Sequence, residues 1–179
     1  MVARDGPSGA YRLGPEIISL GASALCTTDL RLIAHDELVR LTDESGETAT
    51  LEVFTDAEVV VLDEVQSRFL FSASPEARTI TTRAGMEREL GRIRHNGYAV
   101  AVDELENGLV AMAAPVRNHL GYVVAALSLD GPTFRLGPKR RRALVGKLCR
   151  AANRVSGRLG ASVNSTAKRR TNAGASNGI

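Results

Sequence analysis

The side chains best suited to chemistry are three histidines and two cysteines, and their spacing matches no metal site. His35, His95 and His119 fall on a predicted helix face, a predicted helix end and a predicted turn, and no two of them stand four residues apart on one helix. Cys26 and Cys149 lie near apolar helix faces, where a free cysteine usually acts as a small buried hydrophobe. We therefore expect no metal, no cofactor and no cysteine nucleophile.

A cluster of carboxylates, Asp103, Glu104 and Glu106, precedes Asn107-Gly108 between two predicted strands. Such a loop could hold an acid–base pair, a polar ligand contact or a solvated turn, and the sequence alone favours the turn. No glycine-rich phosphate loop and no activated nucleophile accompany the cluster. The sequence therefore argues against an enzyme.

Charge is divided unevenly along the chain. All 20 acidic residues and 11 of the 23 lysines and arginines lie at or before Asp130, which gives −9 there and +12 in the last 49 residues. The run Lys139-Arg140-Arg141-Arg142 opens a predicted helix, where the helix dipole disfavours cations. The acidic body of the same chain, a partner subunit or a phosphate backbone could compensate, and we favour the protein partners over nucleic acid.

The elements that must position these groups follow from periodicity and breakers. Helices are predicted over 13–25, from the N-cap Thr28 to a point before Gly46, over 82–96 and over 138–159. Their predicted inward residues are, for the second helix, Leu30, Ile33, Ala34, Leu38 and Leu41, for the third, Met86, Leu90 and Ile93, and for the last, Leu144, Leu148, Ala151, Val155 and Leu159. Strands are predicted over 48–54, 58–65, 98–102, 109–116 and 122–129, with Val59 to Leu62 well buried. Short turns between neighbouring strands favour an α+β fold with an antiparallel sheet.

Size and composition indicate one folded domain. The chain has 179 residues, of which 44% are hydrophobic, and no apolar run approaches the ~20 residues of a membrane span. The polar start lacks the apolar core of a signal peptide, and two cysteines make no disulfide framework. We expect a cytoplasmic protein with no membrane partner.

Five short motifs, in order and spacing, resemble one family. The motifs are Tyr11-Arg12-Leu13-Gly14-Pro15, Gly97-Tyr98-Ala99-Val100, Asp103-Glu104-Leu105-Glu106-Asn107-Gly108, Ala113-Ala114-Pro115-Val116 and Val124 to Pro132. With these motifs the sequence is similar to the effector-binding domain of the IclR family of bacterial transcription regulators.

This resemblance implies a GAF-like (profilin-like) antiparallel sheet flanked by helices, which cups a small organic acid or an aromatic catabolite. It also implies a repressor or activator that works as a dimer or tetramer. Such regulators contact DNA through a winged helix-turn-helix that precedes this domain and is absent from this chain.

The resemblance also implies the effector-binding positions. They are Ala101, where relatives carry an acidic residue, together with Asp103, Ala111, Ser128 and Asp130. Ser128 and Asp130 stand two apart on one strand and so share a face. Asp130 replaces a usual serine, and a carboxylate there disfavours an acidic effector unless it is protonated or paired.

Three segments follow from the resemblance: a remnant of wing and linker at 1–10, the effector-binding domain at 11–160 and a disordered basic tail at 161–179. The stretch Ser67 to Arg78 is too short for the strand and helix that form one pocket wall in the family. The main hypothesis is a ligand-sensing, oligomerising domain of an IclR-type regulator. The alternative is an effector-less protein-interaction module that forms oligomers with full-length regulators.

Overall fold

A five-stranded antiparallel sheet with helices against one face organises the computed structural model, which describes residues 2–4, 11–13, 29–55, 58–68 and 79–161. Its strand order is β4-β3-β7-β6-β5, and β1 and β2 form a separate antiparallel pair. This arrangement confirms the predicted α+β class. The elements are β1 Val2–Arg4, β2 Tyr11–Leu13, α1 Asp29–Ser45, β3 Thr48–Thr55, β4 Glu58–Val65, α2 Arg83–Asn96, β5 Ala99–Val102, β6 Leu109–Arg117, β7 Val123–Pro132 and α3 Pro138–Arg158.

The core lies between the sheet and helices α1 and α3. Burial alternates residue by residue along β6, because successive side chains of a strand point to opposite faces. Every second residue from Val110 to Val116 is buried against the helices. The helices contribute Ala34, Leu38, Leu41, Leu144, Leu148, Ala151 and Val155, all predicted to face inward.

Two buried carboxylates, those of Glu37 and Glu47, hold α1 and α3 in place through contacts with arginines. The fully buried Glu37 of α1 accepts hydrogen bonds from Arg154 Nε at 2.8 Å and Nη2 at 2.6 Å, and this contact lowers the pKa of Glu37. The buried Glu47 accepts from Arg135 Nη2 at 2.7 Å. Arg140 Nη2 donates to the Ser45 carbonyl at the end of α1 at 2.5 Å. Acidic residues of the same chain thus neutralise part of the positive charge of α3.

The apolar run of β4 is less buried than predicted. Val59 is 63% exposed and Val61 48% exposed. These residues pair with Phe54 and Glu52 on the face opposite α1 and α3, and β4 is the last strand of the sheet. A strand is buried on both sides only when both faces of its sheet are covered. In the part of the chain that the structure describes, the helices cover one face here.

Helix α2 begins and ends as predicted. The Thr82 side chain accepts a hydrogen bond from Gly85 N, and Gly97 adopts the left-handed conformation, with φ of 80°, that ends helices. The expected burial of its apolar stripe is wrong, since α2 has no buried residue and Met86 and Leu90 are about 40% exposed. No helix or strand of the described chain covers that stripe.

Some predicted segments can be compared with the structure over only part of their residues. Leu13, expected to open a helix, instead ends β2, where it pairs with Val2. The following Gly14-Pro15 accounts for this, because a proline disfavours helical backbone in the residue before it and glycine interrupts helices. The remainder of that helix at 14–28, most of the shortened stretch at 69–78 and the tail at 162–179 lie outside the described residues.

Candidate functional site

Four of the five predicted site residues share the face of the sheet that α1 and α3 leave open. Ala101 pairs with Ala111, Ala111 with Asp130, and Asp130 with Thr48, in one row across four strands. Directly paired residues of antiparallel strands point to the same side. In the next row Ser128 pairs with Thr50 and Ala113, also on this open face. Their binding role stays a prediction.

Asp103 has a different position. It adopts the left-handed conformation with φ of 58° at the end of β5, where its backbone N donates to Leu109 O at 2.9 Å. Its Oδ1 accepts a hydrogen bond from Gly108 N at 2.7 Å. Asp103 therefore closes the loop between β5 and β6, as the turn interpretation of the acidic cluster predicts.

Around Asp130 lies a network of two hydroxyls and two carboxylates, which we call the hydroxyl–carboxylate cluster: Thr50, Glu52, Ser128 and Asp130. Thr50 Oγ1 and Ser128 Oγ are 2.6 Å apart, and they lie 2.7 and 3.0 Å from Glu52 Oε1. Ser128 Oγ also lies 3.0 Å from Asp130 Oδ2. Both hydroxyl residues are buried.

The cluster has too few protons for its acceptors. Each hydroxyl carries one hydrogen and an ionised carboxylate carries none, so two protons serve four short oxygen–oxygen contacts. At most two of these contacts can be hydrogen bonds while both carboxylates are charged. The cluster therefore has more acceptors than donors, and a donor group or a proton on one carboxylate would satisfy the remaining contacts.

Asp130 is the carboxylate poised to take that proton. Burial raises the pKa of Asp130 to about 6, against the opposing hydrogen bond from Ser128, and the negative charges of Glu52 and Glu64 raise it further. Near neutral pH the carboxylate is charged for most of the time. Mild acid converts it from an acceptor to a donor.

Sequence reasoning missed Thr50, Glu52 and Glu64 as neighbours of Asp130. The alternation along β3 places Thr48, Thr50 and Glu52 on one face, which the sequence could have shown. Their partner in β7 lies 76 to 78 residues away, and nothing local in the sequence identifies that pairing.

Next to the cluster lies an apolar cavity of about 280 Å³. Glu52 belongs to both, so the cavity continues from the polar cluster along the end of the sheet. A ligand spanning the two would meet oxygen acceptors on one side and hydrocarbon on the other. The other lining residues are Val53, Phe54, Val59 and Val123 to Ala126.

The side chains of His35 and Cys149 have contacts or burial that fit a structural role. His35 Nδ1 lies 2.7 Å from the buried Asp63 Oδ2, and Arg31 Nε lies 3.3 Å from its other oxygen. Burial raises the pKa of the Cys149 thiol, which disfavours the thiolate that a nucleophile needs. Among the residues with assigned positions, no three His, Cys, Asp or Glu side chains are grouped as metal ligands.

No helix within the described ranges is both long enough and apolar enough to cross a membrane.

Comparison with known proteins gives consistent matches. Residues 72–157 match the family described as bacterial transcriptional regulator IclR C-terminal. The chain is 26% identical to the HTH-type transcriptional regulator KdgR of Escherichia coli K12, over 89% of this chain and 75% of KdgR. It is 29% identical to the glycerol operon regulatory protein of Streptomyces griseus, over 76% of this chain and 68% of that protein. These relatives are regulators and not enzymes, in agreement with the sequence prediction.

Solved structures share the fold. The Thermotoga maritima IclR crystal structure superposes with a TM-score of 0.73 at 26% identity, covering 89% of this chain and 79% of that one. The C-terminal domain of E. coli KdgR superposes with a TM-score of 0.67 at 24% identity, covering 74% and 99%. The fold is the GAF-like α+β fold that the five motifs predict. Over residues 72–157 this chain is thus similar to the C-terminal domain of the IclR family of bacterial transcriptional regulators, and the relatives and solved structures it matches are regulators of that family.

Proposed function

We propose that this domain binds a small metabolite on the open face of the sheet, oligomerises, and so controls DNA binding by an IclR-type regulator. The observation that carries the proposal is the hydroxyl–carboxylate cluster, which has few donors and lies beside an apolar cavity, in the rows that hold the positions implied by the family resemblance. Ligand pockets commonly combine apolar walls with a few convergent polar groups.

The cluster narrows the class of effector. Of the two classes that the resemblance implies, organic acids and aromatic catabolites, those bearing a hydroxyl or amine donor fit two carboxylates best. The apolar cavity beside Glu52 accepts a ring or short alkyl chain. We therefore propose a hydroxylated aromatic compound or hydroxy acid, whose own carboxylate, where present, lies away from Asp130.

Coupling to DNA follows from differential binding. An effector that binds one arrangement of the regulator better than another shifts the population toward it. We propose that this domain senses the effector. DNA contact is made by a winged helix-turn-helix of the regulator, and both events take place in the cytoplasm.

A thermal-shift screen against hydroxylated aromatics and hydroxy acids tests the proposal, because a ligand specific for the folded state raises its melting temperature. A hit is then titrated by calorimetry against Ser128→Ala and Asp130→Asn. We expect either variant to weaken binding about ten-fold, which corresponds to one charged hydrogen bond. Asp36→Asn, an exposed change on α1, is the control and should bind as the parent does.

One observation favours the alternative, a module that only associates with other regulators. The apolar stripe of α2 is uncovered in the described chain, as a surface for another protein would be. A flat ligand screen together with a stable oligomer supports the interaction module and contradicts effector binding.

A further inference from the structure

A second cavity, of about 300 Å³, lies at the β5 edge of the sheet, whereas the hydroxyl–carboxylate cluster lies on the interior strands β3 and β7. It is bounded by α2, by β5 and by the first turns of α3. Val100 on its wall pairs with the buried Met112, which places the cavity on the helix side of the sheet. It is therefore separate from the effector site proposed on the open face.

Three arginines and no acidic residue line this cavity. Arg141 and Arg142 come from α3 and Arg92 comes from α2. The remaining walls are the Tyr98 ring, Val100, Pro138 and Val145. The cavity thus combines concentrated positive charge with a short apolar floor.

Arg141 and Arg142 differ from three other cations of their helix. Arg140, Lys147 and Arg154 each form an ion pair with a carboxylate of the same chain. Within the described ranges, the side chains of Arg141 and Arg142 have no hydrogen-bond or ion-pair partner, although Arg141 is half-buried. Both side chains line the cavity without a carboxylate to compensate their charge.

Arg92 is only partly engaged. Its Nε and Nη2 donate to the two oxygens of Glu89, at 2.9 and 2.5 Å, which leaves Nη1 without a contact to that carboxylate. The start of α3 adds to the positive potential, because its first turn holds no acidic residue and Gly137 provides no side-chain cap. Positive charges grouped around one cavity repel each other, and a bound anion relieves that repulsion.

We infer that this cavity is a second ligand site, which binds a small organic anion carrying a phosphate or several carboxylates. Arginines form paired hydrogen bonds with both groups, and the volume matches a metabolite at the lower end of known pockets. Tyr98 and the two valines contact its short carbon skeleton.

Calorimetric titration of the intact chain with 3-phosphoglycerate, citrate and inorganic phosphate, at constant ionic strength, tests the site. We expect saturable binding of one of the two organic anions, weakened at least about ten-fold by Arg141→Gln and by Arg142→Gln. Arg150→Gln removes the same charge from an exposed position on the same helix and should change affinity by less than about two-fold. Ser128→Ala should leave it unchanged, which separates this site from the effector site.

Folding is checked on the same samples. Removal of one uncompensated cation should leave the melting temperature of the ligand-free protein unchanged or raised, so lost binding cannot come from an unfolded variant. The proposal is overturned if neither organic anion saturates. It is also overturned if inorganic phosphate binds equally well, if Arg150→Gln weakens binding as much as Arg141→Gln does, or if a DNA duplex alone binds the arginines.

Discussion

Asp130 gives the molecule a measurable pH dependence. Burial raises its pKa in the folded protein to about 6, above the value of 3.8 for a free aspartate, so the folded state holds the proton more tightly than the unfolded state does. The stabilisation by this proton is complete below pH 4 and is lost as the pH rises through about 6. Paired carboxylates such as Glu37, whose pKa is lowered, act in the opposite direction.

Asp130→Asn isolates that contribution. The amide keeps an acceptor for Ser128 and never becomes charged, so the variant should be more stable than the parent at neutral pH, by roughly 1–2 kcal/mol. Urea unfolding of both proteins at about pH 4.5 and about pH 7 measures it. A variant that is less stable than the parent at neutral pH would show that the charged carboxylate is stabilised by contacts that its pKa does not reflect.

Gly131 is required by the ion pair of Glu47. A Cβ at this position would lie 2.8 Å from Glu47 Cδ and even closer to its Oε2, while Arg135 holds that carboxylate in place. Gly131→Ala should therefore displace a buried charge and reduce the free energy of unfolding by about 3 kcal/mol. Gly91→Ala, in the middle of α2 with nothing within 4 Å, is the control and should be neutral or stabilising.

At the scale of elements, the contact between Glu37 and Arg154 joins α1 to α3. Because Glu37 is fully buried, removing Arg154 takes away its two shortest hydrogen bonds and leaves Arg40, at 3.3 Å, as its remaining ion-pair partner inside the protein. We expect Arg154→Ala to cost about 3 kcal/mol in the free energy of unfolding, measured by urea titration. Lys147→Ala, which breaks the exposed pair with Glu44, should change stability much less. Equal effects would contradict the role assigned to burial.

The elements also show where local patterns suffice. The ends of α2 and the position of β6 depend on residues a few positions apart, and both were predicted. The exposure of β4 was not, because a run of valines reports apolar character and does not report whether a second layer covers that face.

For the whole molecule, the uncovered stripe of α2 predicts self-association. A helix of 14 residues with no buried side chain lacks the packing that normally stabilises helices of this length. Sedimentation velocity should show a dimer or larger oligomer, and Leu90→Gln should weaken it by more than Arg94→Gln, an exposed change near the end of the same helix. A monomer at all concentrations would contradict the proposed oligomerising role.

Charge asymmetry is also resolved at this scale. The basic C-terminal helix lies against the acidic body, with three of its cations paired to Glu37, Glu44 and Glu47. Carboxylates of the same chain therefore balance part of the positive charge of this helix. The sequence favours such a protein partner over nucleic acid. Arg141 and Arg142 remain for the second ligand site.

The sequence by itself determined the order of the elements from α1 to α3, the ends of these helices, the inward faces of α1 and α3, and the family resemblance, because these depend on local periodicity and short motifs. Only the tertiary structure decided which residues surround Asp130 and which face of the sheet stays open. Thr50 and Glu52 reach Ser128 through the register between β3 and β7, which long-range packing sets. The second cavity, which Arg92, Arg141 and Arg142 line, likewise forms only where α2, β5 and α3 meet.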